Sequence, residues 1–196
     1  MISEFDNIRT NGKICISLKE DDELIEVKKT TGENLILLGS SEGRMVKFNE
    51  SEVRQMGRTA SGVRGINLGN GATCVCGEVV KDDDIILLVT KNGYGKKSLV
   101  NDFRQTSRGS KGVKALNVTE KNGNLVSVKL MFGEADLIIM TNSGMTMRMS
   151  TDQIPELGRV TQGVRLINLK DNQKVATVSL VDKSIENPEE NDEETN

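Results

Sequence analysis

The chain has 196 residues, 36% hydrophobic and 28% charged, with three cysteines, no histidine and a formal net charge of −3. The missing histidine removes the commonest general base and zinc ligand, and no run of 18 apolar residues offers a helical membrane span. An odd cysteine count in a chain this long gives no disulfide framework and suits a reducing cytosol, and the acidic, polar start Met1-Ile2-Ser3-Glu4-Phe5 is no signal peptide.

From the N-terminus, residues 13–18 alternate, with Ile14, Ile16 and Leu18 on one face. Segments 24–28, 34–38 and 44–48 follow, separated by Asp-Asp, Thr-Gly-Glu and Ser-Glu-Gly turn chemistry. Period-two alternation with polar turns predicts strands, and the Ile- and Leu-rich runs are too short between turn signals for buried helices. Further along, segments 113–118, 125–131, 136–141 and 145–149 repeat the pattern.

That repetition is regular. Gly12, Gly62, Gly112 and Gly163 lie 50, 50 and 51 residues apart, each followed by Lys-Ile, Val-Arg, Val-Lys or Val-Arg. Apolar runs ending at turn glycines Gly43, Gly93 and Gly144 keep the same register. Four residues past each of these stands a cation: Lys47, Lys97 and Arg148. Five residues before Arg58, Arg108 and Arg159 stands an apolar anchor: Val53, Phe103 and Ile154. A period near 50 with about four short strands per copy predicts an all-β, propeller-like array of about four blades, each burying its apolar face against the next. The recurring glycines are expected to supply positive φ or close backbone approach at blade corners. The lack of Trp and His sets the array apart from WD40 repeats, and no paired-glycine pattern marks it as kelch.

The array is expected to cover residues 1–181, followed by an acidic tail, 182–196, with seven acids against Lys183. Without the tail the chain carries 25 bases against 22 acids, a net of +3. The tail's composition predicts disorder. It reads either as a solvated terminus or as a competitor for a basic surface.

No nucleophile stands with a partnering base, so no catalytic residue is predicted. Cys74 and Cys76, two apart on one strand face, read as core thiols rather than metal ligands. Gly95-Lys96-Lys97-Ser98 lacks the earlier glycine of a phosphate-binding loop, since position 90 is Thr90. What remains is cationic and periodic. The connecting loops supply Arg54, Arg58 and Arg64, then Arg104, Arg108, Lys111 and Lys114, then Arg159 and Arg165. The hairpins add Arg44 and Lys47, then Lys91, Lys96 and Lys97, then Arg148. Equivalent positions in an array share a face, so these charges predict a belt along one edge, suited to the phosphates of double-stranded DNA. With one Tyr and four Phe, the chain is poor in the stacking platforms of single-strand binders.

Residues 43–68, together with Asn92-Gly-Tyr-Gly-Lys-Lys-Ser98, Ser107-Arg-Gly-Ser-Lys-Gly-Val113 and Gly158-Arg-Val-Thr-Gln-Gly-Val164, resemble the C-terminal domain of the DNA gyrase A subunit. The resemblance runs through residues 5–181. It implies a β-pinwheel, a propeller-like disc of about six blades that exchange outer strands, of which about four are present here as an incomplete disc. It also implies that the basic rim wraps duplex DNA for ATP-dependent negative supercoiling by a type II topoisomerase. The rim would then comprise the Arg58, Arg108, Arg159 series and the Lys47, Lys97, Arg148 series. The expected partners are double-stranded DNA, the rest of gyrase A, and gyrase B in a bacterial cytoplasmic heterotetramer. No cofactor is expected in this chain, ATP and Mg being used elsewhere in the assembly. The family's doubled-arginine, glycine-rich box has only a shifted counterpart, Gln105-Thr-Ser-Arg-Gly-Ser-Lys-Gly112, without the doubled arginine. The matching domain of topoisomerase IV and a protein-binding β-repeat scaffold are the alternatives.

Overall fold

A computed structural model describes residues 8, 10–170 and 172–183. Eleven strands form three antiparallel sheets, and no α-helix occurs among the described residues. The strands are β1 Leu35–Ser40, β2 Arg44–Asn49, β3 Cys74–Val80, β4 Ile85–Thr90, β5 Tyr94–Leu99, β6 Val113–Lys114, β7 Leu125–Leu130, β8 Ala135–Thr141, β9 Thr146–Ser150, β10 Val164–Arg165 and β11 Val175–Asp182. The sheet orders are β3-β1-β2-β6, β10-β5-β4-β7 and β11-β8-β9.

The chain path follows from that order. Each copy opens with a hairpin (β1-β2, β4-β5, β8-β9) that ends in one 3-10 turn, at Glu50–Glu52, Val100–Asp102 and Thr151–Gln153. The chain then crosses to the preceding blade. There β6 pairs with β2 through Arg44↔Lys114 and Met45↔Val113, and β10 pairs with β5 through Tyr94↔Arg165 and Gly95↔Val164. It returns to its own blade as the inner strand: β3 on β1, β7 on β4 and β11 on β8. Blades therefore exchange outer strands.

Close backbone contact makes the exchange possible. At the hairpin tip, the Gly43 carbonyl accepts the amides of Ala115 and Leu116, and the Gly93 carbonyl accepts those of Leu166 and Ile167. Both glycines have positive φ, 73° and 79°. The recurrent Gly112 and Gly163 also have positive φ and lie against Met45 and Gly95, where a β-carbon would fall well inside van der Waals contact with the facing carbonyl oxygen. The expected corner role of these glycines holds.

The core lies between blades. Along β4, Ile86 and Leu88 join a cluster with Leu37, Met45, Val100 and Phe103, while Leu87 and Val89 join one with Leu137, Ile139 and Ile154. Burial on both faces is why this strand reads as a continuous apolar run rather than an alternation.

Three of the expected strands differ. Residues 13–18 and 24–28 carry the landmarks of a fourth copy but form no ladder, and Ile14, Leu18, Leu24, Ile25 and Val27 are exposed. A strand needs a partner, and the hairpin that would pair with them has no counterpart among the described residues. The expected strand over 113–118 shrinks to Val113–Lys114, because Ala115 and Leu116 turn around the Gly43 carbonyl. Of the tail, Asp182 closes β11 and Lys183 follows it; residues 184–196 lie outside the described residues.

Candidate nucleic-acid interface

The crossover loops, residues 57–68, 107–118 and 158–168, hold part of the predicted belt, and each is fastened to the one before it. Arg58 Nη1 donates to the Ile14 carbonyl at 3.2 Å, Arg108 Nη1 to Arg64 at 2.6 Å, and Arg159 Nη1 to Lys114 at 3.1 Å. Each acceptor stands two residues past a recurrent glycine. Backbone bonds run beside these clasps: Ser17 to Ala60, Gly109 to Gly65, Asn67 to Ser110, and Asn117 to Thr161. Successive loops thus form one continuous edge. A guanidinium suits the role because its fork of donors reaches several carbonyls at once; Arg108 also donates from Nε to the Glu52 carbonyl.

The structure sorts the predicted cations. Arg54, Arg64, Arg104, Lys111, Lys114 and Arg165 are exposed along this edge. Arg104 and Lys111 line an open polar cleft with Glu52, Gln105, Thr106, Ser107 and Ser110. Arg58, Arg108 and Arg159 are half-buried clasps. Arg44 is half-buried and donates to the Gly112 carbonyl, holding the crossover to β2. Arg148 pairs with Asp136 on the adjacent strand at 2.7 Å.

Two assignments need correction. Lys47 is 4% exposed, and its ammonium is bound by Asp82 and the Val100 carbonyl. Lys96 is fully buried and donates to the carbonyls of Gly158 and Arg159. Neither ammonium faces a ligand. The incoming crossover loop supplies the partners of Lys96, while those of Lys47 come from the turn between β3 and β4 and from the 3-10 turn after β5; the strand pattern alone shows neither. Burial pulls the Lys96 pKa down to about 8, with the nearby Arg159 charge adding to the fall and Asp102 opposing it. Lys97, next to it, is half-buried, with its backbone bonded to Pro155 and Leu157.

At the tip of the second hairpin the belt residue Arg165 is joined by a cation that the repeat did not predict, Lys121. Arg165 donates from Nε and Nη2 to the Tyr94 hydroxyl at 3.3 and 3.1 Å, and Lys121 stands 5.6 Å from the centre of the same ring. The pattern of the repeat gave no signal for Tyr94, since its counterparts one residue past the turn glycine are Arg44 and Met145.

Strand-exchanged β-blades in tandem, with their crossover loops joined into one cationic edge, define a β-pinwheel, a member of the propeller-type class. The family described as "DNA gyrase C-terminal domain, beta-propeller" matches residues 2–31, 34–75, 84–130 and 135–182, and the chain belongs to it. The DNA gyrase A subunit of Staphylococcus aureus strain NCTC 8325 is 45% identical over 196 residues, which is 99% of this chain and 22% of that protein. The chain therefore spans about a fifth of the length of the relatives it matches. Among solved structures, the C-terminal domain of DNA topoisomerase IV superposes with a TM-score of 0.84 at 26% identity, covering 92% of this chain and 57% of the other. A DNA gyrase A C-terminal domain superposes with a TM-score of 0.77 at 24% identity, covering 87% and 58%.

Proposed function

We propose that this chain is a duplex-DNA-binding and wrapping module of a DNA gyrase, a bacterial type II topoisomerase working in the cytoplasm. The carrying observation is the continuous edge made by the arginine clasps, which sets Arg54, Arg64, Arg104, Lys111, Lys114 and Arg165 in series. A duplex presents phosphates at regular spacing, and a series of exposed cations on a rigid edge engages them without reading bases. Bending DNA over such an edge costs a few kcal/mol, roughly 1–6 for a 20–30 base-pair site, which the added phosphate contacts offset. In the assembly this module would present a wrapped segment to the B subunit and to the remainder of the A subunit, with ATP and Mg used elsewhere in the assembly to drive negative supercoiling. The 45% identity to a gyrase A subunit favours gyrase, although the superposition with the topoisomerase IV domain is the better one.

The test is duplex affinity against salt. The triple variant R104Q/K111Q/K114Q should bind every duplex sequence more weakly, and the slope of log affinity against log salt should fall by about 0.9 for each phosphate that is no longer neutralised. A wild-type chain whose duplex affinity is absent or insensitive to salt would leave the protein-binding scaffold as the better reading.

A further inference from the structure

The repeat supplies an internal control for reading its own surface. At the tip of the first hairpin the residue before the turn glycine is Glu42 and the residue after it is Arg44, across from Lys114. At the second tip the same places hold Asn92, Tyr94 and Arg165. The acid has become an amide, and three further lysines, Lys121, Lys170 and Lys174, line the cleft between this tip and the loop after β10. No carboxylate lines the cleft among the described residues; Asp171 lies outside them. Scaffolding does not call for this composition, because the first tip performs the same strand exchange with a different set.

The cations are arranged rather than scattered. The phenol oxygen of Tyr94 takes two of the five guanidinium N–H groups of Arg165, fixing its plane and leaving three donors. Arg165 and Lys121 stand 5.7 and 5.6 Å from the centre of the Tyr94 ring. Lys174 donates to Asn92 Oδ1 at 2.9 Å, and Asn92 Nδ2 donates to the carbonyls of Glu120 and Lys121. The amide thus ties the ammonium of one loop to the backbone of another. Convergent like charges raise one another's free energy, and a multivalent anion placed between them relieves it.

We infer that this cleft is a phosphate clamp, in which Arg165, Lys121, Lys170 and Lys174 hold adjacent phosphates of one duplex strand and Tyr94 positions the guanidinium. The inference rests on the DNA-binding reading and adds to it a site at one blade only, where Arg165 of the loop edge is joined by three lysines that the edge does not include.

Tyr94 is the sole tyrosine and the chain has no tryptophan, so its intrinsic emission reports on this cleft alone. Sodium tripolyphosphate, which does not absorb where tyrosine does, is the probe for free polyanion. A labelled duplex followed by anisotropy is the probe for DNA. Wild-type emission should change saturably with tripolyphosphate, and K121Q/K170Q/K174Q should need at least tenfold more. The same variant should lower the magnitude of the duplex salt slope by about 2, the loss of two phosphates. Y94F keeps the ring and removes the hydroxyl, so it should weaken duplex binding several-fold without unfolding the chain. No emission change, or an equal change in the lysine variant, overturns the clamp. A lysine variant with the tripolyphosphate effect abolished and the duplex slope unchanged means a free polyphosphate only, and overturns the assignment to DNA. Normal wild-type duplex binding with no effect of the lysine substitutions sinks the clamp and spares the loop edge. A wild type that ignores duplex at all salt concentrations sinks the broader reading.

Discussion

Lys96 is buried with main-chain carbonyls of the next crossover, not a carboxylate, as the two acceptors of its ammonium; Asp102 acts on it only through space. Its folded pKa of about 8 lies below the unfolded value of about 10.5. Below pH 8 both states are protonated, and the folded state bears the full cost of a buried charge. Between the two values the unfolded state binds more protons, so this group makes stability rise with pH. Lys96→Met removes that dependence. Urea unfolding at about pH 7 and about pH 9.5 should show the wild type gaining on K96M by up to about 2 kcal/mol, at about 1.4 kcal/mol per unit. A difference that stays constant or reverses would mean the amine is solvated. The glycines make a second comparison at this scale. Gly62 and Gly163 have nearly the same φ, 82° and 79°, but a β-carbon at Gly62 meets nothing within 4 Å while one at Gly163 meets the Gly95 backbone. Gly62→Ala should cost about 1–2 kcal/mol from the left-handed conformation alone. Gly163→Ala should cost clearly more, measured by the same unfolding titration.

At the scale of the element, the crossover loop is held by a few polar bonds rather than by a long ladder, since β6 and β10 have two residues each. Charge-assisted bonds from a guanidinium to carbonyls contribute about 1.5–3 kcal/mol where they are shielded and less where water competes. Arg108→Met should therefore loosen residues 107–112 without disrupting β4-β5. Hydrogen exchange should show the amides of Gly109 and Asn67, which bond to Gly65 and Ser110, accelerating well ahead of those in β4. This scale also separates what the sequence discloses from what it hides. The hairpins were legible because their apolar runs and turn glycines are local signals. The absence of ladders over 13–18 and 24–28 was not, because those segments carry strand pattern while a ladder needs a partner from a different copy. The sorting of Lys47, Lys96 and the arginine clasps away from the exposed belt was hidden for the same reason. What covers a side chain here arrives from another copy of the repeat, so equal spacing guarantees equal position but not equal exposure.

At the scale of the whole molecule, strand exchange ties neighbouring blades together. In a simple repeat array, stability is a sum of unit terms and nearest-neighbour interfaces, and a weak unit frays by itself. Here the second copy completes the first sheet through β6, the third completes the second through β10, and β4 sits in two cores at once. Damage at one crossover must therefore reach two blades. Gly112→Ala, whose β-carbon would press on the Met45 carbonyl, should raise exchange throughout β1-β2 of the preceding blade as well as in its own. Unfolding should remain a single transition, shifted to lower denaturant, with its slope unchanged. Independent blades would instead give a biphasic curve, with β8-β9 and β11 protected after β1-β2 had opened. The coupling has a consequence for the proposed DNA-binding edge: its cations stand on loops that belong to two sheets each, so their spacing is set by the inter-blade core rather than by loop conformation. On the proposed reading, that rigidity would hold phosphates in register along a bent duplex. A variant that weakens the core, such as Leu87→Ala, should then lower duplex affinity in proportion to the blade opening seen by exchange, although Leu87 is fully buried and touches no DNA.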